Sequence, residues 1–169
     1  MTNLPDIRAA DVRDAAAINR LYNPFILETP VTFETDPVDD SARAAWIEAL
    51  RADAKTPVFV AEREGEIVGL ANASRFDPRP GYDVSVKVSV FVAPDHQGQG
   101  IARNLYARLF TDLRKAKLHR AYALIVEPNP ASVRLHEFFG FEQVGRLDEV
   151  GFKFGEYHSV LWFEKAVMS

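Results

Sequence analysis

In the stretch DVSVKVSVFVAPDHQGQGIARNLYARLFTDLRKA, residues 83–116, the apolar spacing switches from two to four. Val84, Val86, Val88, Val90 and Val92 alternate with Asp83, Ser85, Lys87, Ser89 and Phe91, the pattern of a strand with one apolar and one mostly polar face. Leu105, Leu109 and Leu113 then stack four apart, which predicts a helix over Ile101–Ala116 with a core-facing stripe. Between them lies His96-Gln97-Gly98-Gln99-Gly100-Ile101-Ala102. Two glycines let backbone amides approach a ligand closely, and the positive end of the following helix adds to them, so the turn suits an anion. It is not a P-loop, because no Lys-Ser/Thr follows the last glycine, and Arg103 stands where a dinucleotide fingerprint needs a third small residue. A plain strand-to-helix turn would use the same glycines.

Outward from this unit the chain is evenly punctuated, with no repeat, linker or low-complexity tract. Asp6–Ala9 reads as a strand. Asp11 can cap a helix to about Tyr22, which Asn23-Pro24 ends because the residue before proline avoids the helical region. Residues 28–35 read as a loop, and Asp39 or Asp40 can cap a second helix to about Ala54. Val58–Glu62 and Ile67–Ala73 form a hairpin about Gly65. Arg120–Val126 is an apolar strand, Ala131–Phe139 a short helix stopped by Gly140, and Glu142–Val150 and His158–Glu164 two closing strands. The order β-α-α-β-β-β-α-β-α-β-β predicts an α+β domain spanning residues 1–169. Its central mixed sheet is mostly antiparallel, with parallel crossovers around the two later helices.

The 169 residues fit a single domain able to bury about 70% of its unfolded surface. With 47% hydrophobic and 26% charged residues the composition is that of a globular protein. Net charge is −4, which offers no general attraction to nucleic acid or an anionic membrane. The chain has no cysteine, so it has no disulfide, thiolate metal site or cysteine nucleophile. His96, His119 and His158 show no metal-ligand spacing, and no metal is expected. No secretory signal or membrane span is apparent, which points to the cytoplasm.

Gln97-x-x-Gly100-x-Ala102 resembles the Q/R-x-x-G-x-G/A signature of the GNAT acyltransferase superfamily, in the expected strand-to-helix context. A second likeness is Asn129-Pro-Ala-Ser132-Val-Arg-Leu-His136-Glu-Phe-Phe-Gly140-Phe141. Tyr22-Asn23, Thr29–Phe33, Gly81-Tyr82, Arg134-x-His136-Glu137 and Gly151-Phe-Lys-Phe-Gly155 resemble the phosphinothricin and methionine sulfoximine acetyltransferases within it. The resemblance covers nearly the whole chain. It implies the GNAT fold, with acyl-CoA in a gap between the fourth and fifth strands and acetyl-CoA as cosubstrate. Pantetheine would lie against Val90, Phe91 and Val92, and pyrophosphate on Gln97, Gly98, Gln99, Gly100, Ile101 and Ala102. Asn129 and Ser132 would contact the cofactor from the other side, while Asn129 also reads as a helix N-cap.

The implied chemistry is direct attack of an amine on a thioester, by a homodimer whose acceptor pocket includes the partner chain. His136 occupies the helix position where much of the superfamily carries tyrosine, and it is the first catalytic candidate. Lys87 stands where this subfamily usually has a glutamate general base. It can bind an anionic substrate group, act as a desolvated base, or be an ordinary strand lysine; the base is then His136, Glu127 or water. Arg75 and Arg79 could meet a substrate carboxylate, and Phe33, Tyr82 and Lys153 could face the acceptor or serve as core or hairpin residues. The acceptor expected is the α-amino group of an amino acid or analogue. The alternatives are a protein N-terminus, a polyamine, or a non-catalytic acyl-CoA-binding module.

Overall fold

The computed structural model describes residues 4–168. Strands β1 (Asp6–Ala9), β2 (Val58–Arg63), β3 (Glu66–Arg75) and β4 (Ser85–Val92) form an antiparallel run. β5 (Arg120–Val126) is parallel to β4, and β6 (Glu142–Lys153) and β7 (Glu156–Ala166) complete seven strands in the order β1-β2-β3-β4-β5-β7-β6. Helices α3 (Ile101–Lys115) and α4 (Pro130–Phe138) cover one face, where Leu105, Leu109 and Leu113 bury against Val86, Val88, Ala121 and Ala123. Helices α1 (Ala15–Glu28) and α2 (Asp40–Arg51) cover part of the other, packing Ile18, Leu21 and Ile47 on Val58, Val60 and Leu70. The expected α+β architecture and strand alternation hold. Gly69 has a positional reason: a Cβ there would lie 2.9 Å from Leu105 Cδ1, so its absence lets the first turns of α3 rest on β3.

Three expectations needed correction. Asn23-Pro24 does not end the first helix: Asp11 caps a single 3-10 turn, Val12–Asp14, and α1 then continues through Pro24 to Glu28. An interior proline costs a helix about 3 kcal/mol. Complete burial of Ile26 opposes that cost, as do the Asn23 side-chain bonds to Val38 N–H (3.1 Å) and Val38 C=O (3.0 Å). Second, only the crossover through α3 produces a hydrogen-bonded parallel pair. β7 inserts between β5 and β6 and is antiparallel to both. Third, the closing strands run on to Lys153 and from Glu156, joined by Phe154 (φ 53) and Gly155 (φ 76) in a two-residue turn.

One irregularity positions everything else. β5 pairs with β4 only at Ser85–Arg120, Val86–Ala121 and Lys87–Tyr122. Beyond Lys87, β4 stays with β3 as far as Val92, and β5 stays with β7 as far as Val126, so the two strands part.

Candidate active site

The gap opens a cleft of about 930 Å³ between Val88–Val92 and Ala123–Val126. Each bank presents strand backbone with no neighbouring strand, an edge that an amide-containing chain can pair with. One end of the cleft is the glycine turn. Gly98 (φ 75) and Gly100 (φ 80) adopt the left-handed conformation, and no side chain caps the start of α3, so its first N–H groups face the cleft. The glutamines hold this turn rather than extending from it. Gln97 donates to the carbonyl of Val92 (3.1 Å), and Gln99 donates to that of Asp95 (3.3 Å) while accepting from Arg63 (2.7 Å). Ile101 and Ala102 line the cleft, as do Val90, Phe91 and Val92.

Across the gap, Asn129 Oδ1 accepts from Ser132 N–H (3.1 Å) and caps α4, while both residues also line the cleft. One turn later His136 is only 4% exposed. Its Nδ1 lies 2.8 Å from the carbonyl of Ser132, which can only accept, so Nδ1 carries the proton. Nε2 then accepts from the Tyr106 hydroxyl at 3.0 Å. Burial pushes the imidazole below its ordinary value, outweighing the Ser132 bond, and pushes the Tyr106 phenol far up. The result is a neutral imidazole with a basic nitrogen reached through a phenol. Tyr106 was missed in the sequence because it sits beside Leu105 on the core face of a helix, where an aromatic reads as packing.

The remaining candidates do not line the cleft. Lys87 is half-buried at its vertex, on the sheet face away from α3, and its ammonium has no hydrogen-bond or ion-pair partner among the described residues. On that face an aromatic floor joins Phe76, Tyr82, Tyr122 and Trp162, with Phe76 5.3 Å from Tyr82 and 4.9 Å from Tyr122. The Trp162 indole N–H is buried without a partner. Arg75 is engaged by Asp53 (3.1 Å) and Asp83 (3.7 Å), Arg79 by Asp77 (2.8 Å), and Glu127 by Arg146 (2.6 Å).

Lys153 is buried, and its Nζ donates to the carbonyls of Thr29 (2.9 Å) and Thr32 (2.7 Å). It therefore pins the loop 29–34, of which Thr29, Val31 and Thr32 form a wall of the cleft. The tip of the Phe33 ring abuts Gly151, where an added Cβ would come within 2.2 Å of Phe33 Cζ. Hydrogen bonds to a charged donor contribute about 1.5–3 kcal/mol each. Lys153→Met is therefore expected to raise amide exchange over Thr29–Glu34 about tenfold or more while leaving α3 unchanged, as read by hydrogen exchange.

Residues 18–141 match the Acetyltransferase (GNAT) family. The chain is 42% identical to a phosphinothricin N-acetyltransferase of Streptomyces coelicolor, over 94% of each chain. It is 38% identical to the L-methionine sulfoximine/L-methionine sulfone acetyltransferase of Salmonella typhimurium, over 89% of this chain and 88% of that protein. Among solved structures, YncA of Salmonella typhimurium, determined with its cofactor acetyl-CoA, superposes with a TM-score of 0.92 at 35% identity, covering 98% of this chain and 95% of that one.

Proposed function

The chain belongs to the GNAT acetyltransferase family and is an acyl-CoA-dependent N-acetyltransferase acting on a small amine; we propose that its acceptor is an amino acid or analogue bearing an anionic group. The observation that carries this reading is the parting of β4 and β5 at Lys87, with a phosphate-suited turn at one end of the gap. Strand edges there would pair with pantetheine amides, and the amides from Gly98 to Ala102 would hold the pyrophosphate. Asn129 and Ser132 would meet the cosubstrate from the α4 side.

An unpaired ammonium at Lys87 and an unpaired indole N–H at Trp162 share the sheet face beside the vertex. Two unmet donors suit a carboxylate or phosphinate on the acceptor, and Lys87 takes that role here. No aspartate or glutamate is among the residues lining the cleft, which speaks against a polyamine. The acceptor amine, once neutral, attacks the thioester directly. Backbone N–H groups of Val90–Val92 polarise the carbonyl, and the proton leaving nitrogen is taken up by the Tyr106 oxygen as the Tyr106 hydroxyl proton moves to Nε2 of His136, the reverse shift then delivering a proton to sulfur. The protein is proposed to work in the cytoplasm as a homodimer. Exposed Val144, Val150, Phe152 and Tyr157 on the β6–β7 hairpin, between 53% and 67% accessible, support the dimer.

The test is thiol release from acetyl-CoA across an amino-acid panel including phosphinothricin and methionine sulfoximine. The chain has no cysteine to react with the thiol reagent. Turnover is expected with acceptors carrying a second acidic group. Lys87→Met should raise their KM about tenfold or more while leaving acetyl-CoA affinity intact, in line with the loss of one buried charge-assisted contact. Binding of acetyl-CoA with no turnover on any amine would overturn the reading.

A further inference from the structure

An amino-acid acceptor arrives as an ammonium ion, and the cleft contains no carboxylate to take its proton. Lys87 holds the strand position where the family resemblance implies a glutamate. His136 lies on the α3–α4 face, with one nitrogen bonded to Ser132 and the other to Tyr106. On the opposite face the structure offers something else. Tyr22, in the cleft wall and edge-on to Phe91 of β4 at 4.8 Å, donates its hydroxyl to Glu34 Oε2 at 2.5 Å. Thr32 donates to the same oxygen at 2.8 Å. Glu34 itself is exposed, so a single phenol separates the cleft from a carboxylate in contact with water.

We propose that Tyr22 and Glu34 form the proton exit for the acceptor ammonium. The Tyr22 oxygen takes a proton from the ammonium nitrogen as its own hydroxyl proton passes to Glu34 Oε2. One N–H bond and the original phenol O–H break. A new phenol O–H and a carboxylic acid O–H form. The ammonium becomes a neutral amine and the carboxylate a neutral acid, and Glu34 then releases the proton to bulk water. Tyr22 is the catalytic residue, because it meets the acceptor, and Glu34 acts through it. This rests on the acetyltransferase reading.

The surroundings fit a relay. Burial, with Glu34 adding to it, pushes the Tyr22 phenol far above its ordinary value, so the residue keeps a proton to hand on. Arg43 of α2 lies over the Tyr22 ring at 4.7 Å, and Lys153 of β6 fixes the carbonyl of Thr32. These two cations, with Glu34, are the charged groups acting on Tyr22 and its loop. Sequence spacing does not join Tyr22 to Glu34, because a helix and a loop bring them together through a side-chain bond across twelve positions.

The experiment follows kcat/KM for two acceptors against pH in the wild type, Glu34→Gln and Tyr22→Phe. One acceptor is an amino acid that turns over; the other is its α-aminooxy analogue, which keeps the carboxylate and carries in place of the α-ammonium an –O–NH2 group that is already neutral near pH 7. For the amino acid, both variants should lose about 100-fold or more near neutrality, the scale of general-base catalysis. That loss should shrink about tenfold for each unit of rising pH as the free amine appears. For the aminooxy acid, both variants should stay within about threefold of the wild type. Unchanged rates, or equal losses on both acceptors, would overturn the relay while leaving the acetyltransferase reading intact. A wild type inactive on every amine would instead overturn the reading beneath it.

Discussion

Ala102→Glu is expected to weaken acetyl-CoA binding by about 100-fold or more without lowering the unfolding temperature. Ala102 is the second residue of α3, lines the cleft and follows two left-handed glycines at an uncapped helix start. A carboxylate in that turn favours the helix, by about 0.3–1 kcal/mol through the dipole, so folding does not suffer. It would fill and neutralise the site where the pyrophosphate belongs. Charge-assisted hydrogen bonds contribute about 1.5–3 kcal/mol each, so losing two corresponds to roughly 100-fold or more in Kd. Titration calorimetry and thermal unfolding of the same sample separate binding from folding. Affinity within threefold of the wild type would show that the turn does not hold the cosubstrate.

His136→Phe is expected to lower kcat about 100-fold or more with every acceptor, the scale of a lost proton-transfer group. The ring keeps the volume among Tyr106, Phe141 and Phe163 but removes Nε2, leaving the buried Tyr106 hydroxyl unpartnered at a cost of about 1–3 kcal/mol. The pH dependence supplies the sharper reading. Burial holds the folded imidazole below its ordinary 6.5, so the folded state resists a proton that the unfolded chain accepts. The stability from this group is fully present above about pH 6.5 and is lost as pH falls toward the folded value. The wild-type rate should fall on the acid side over that range too, because protonated Nε2 cannot accept. His136→Phe should remove this part of the acid-side loss of stability, seen as a smaller drop in Tm on acidification. An unchanged pH dependence would place the titrating group elsewhere.

Much of the fold was legible because its signals are local. The alternation over Val84–Val92, the glycines at 98 and 100 and the leucine stack at 105, 109 and 113 each act within one or two turns of chain. Pro24 misled because its local penalty is real, yet is overridden by burial of Ile26 and by Asn23 reaching Val38 across fifteen positions. The insertion of β7 between β5 and β6 was hidden for a similar reason: strand order follows from which apolar faces meet, and sequence periodicity does not carry it. Of the residues expected to meet the cofactor, all but Gln99 line one cleft, and the side chains of Gln97 and Gln99 brace the turn.

The acceptor side was least legible. Lys153 looked like a residue facing substrate or a hairpin surface, and instead binds two carbonyls more than 120 positions away. Arg75 looked available and is engaged by two aspartates. Tyr106 carried no signal in the leucine stripe of its helix and is the partner of His136.

By itself, then, the sequence determined the elements, the anion-suited turn and the family likeness, since hydrophobic period and glycine conformation act over neighbouring residues. Only the tertiary structure decided which ionisable groups are paired, buried or left free. A side chain's charge and proton affinity depend on what burial places within a few ångströms of it, and for Tyr22, His136 and Lys153 those neighbours come from other parts of the chain.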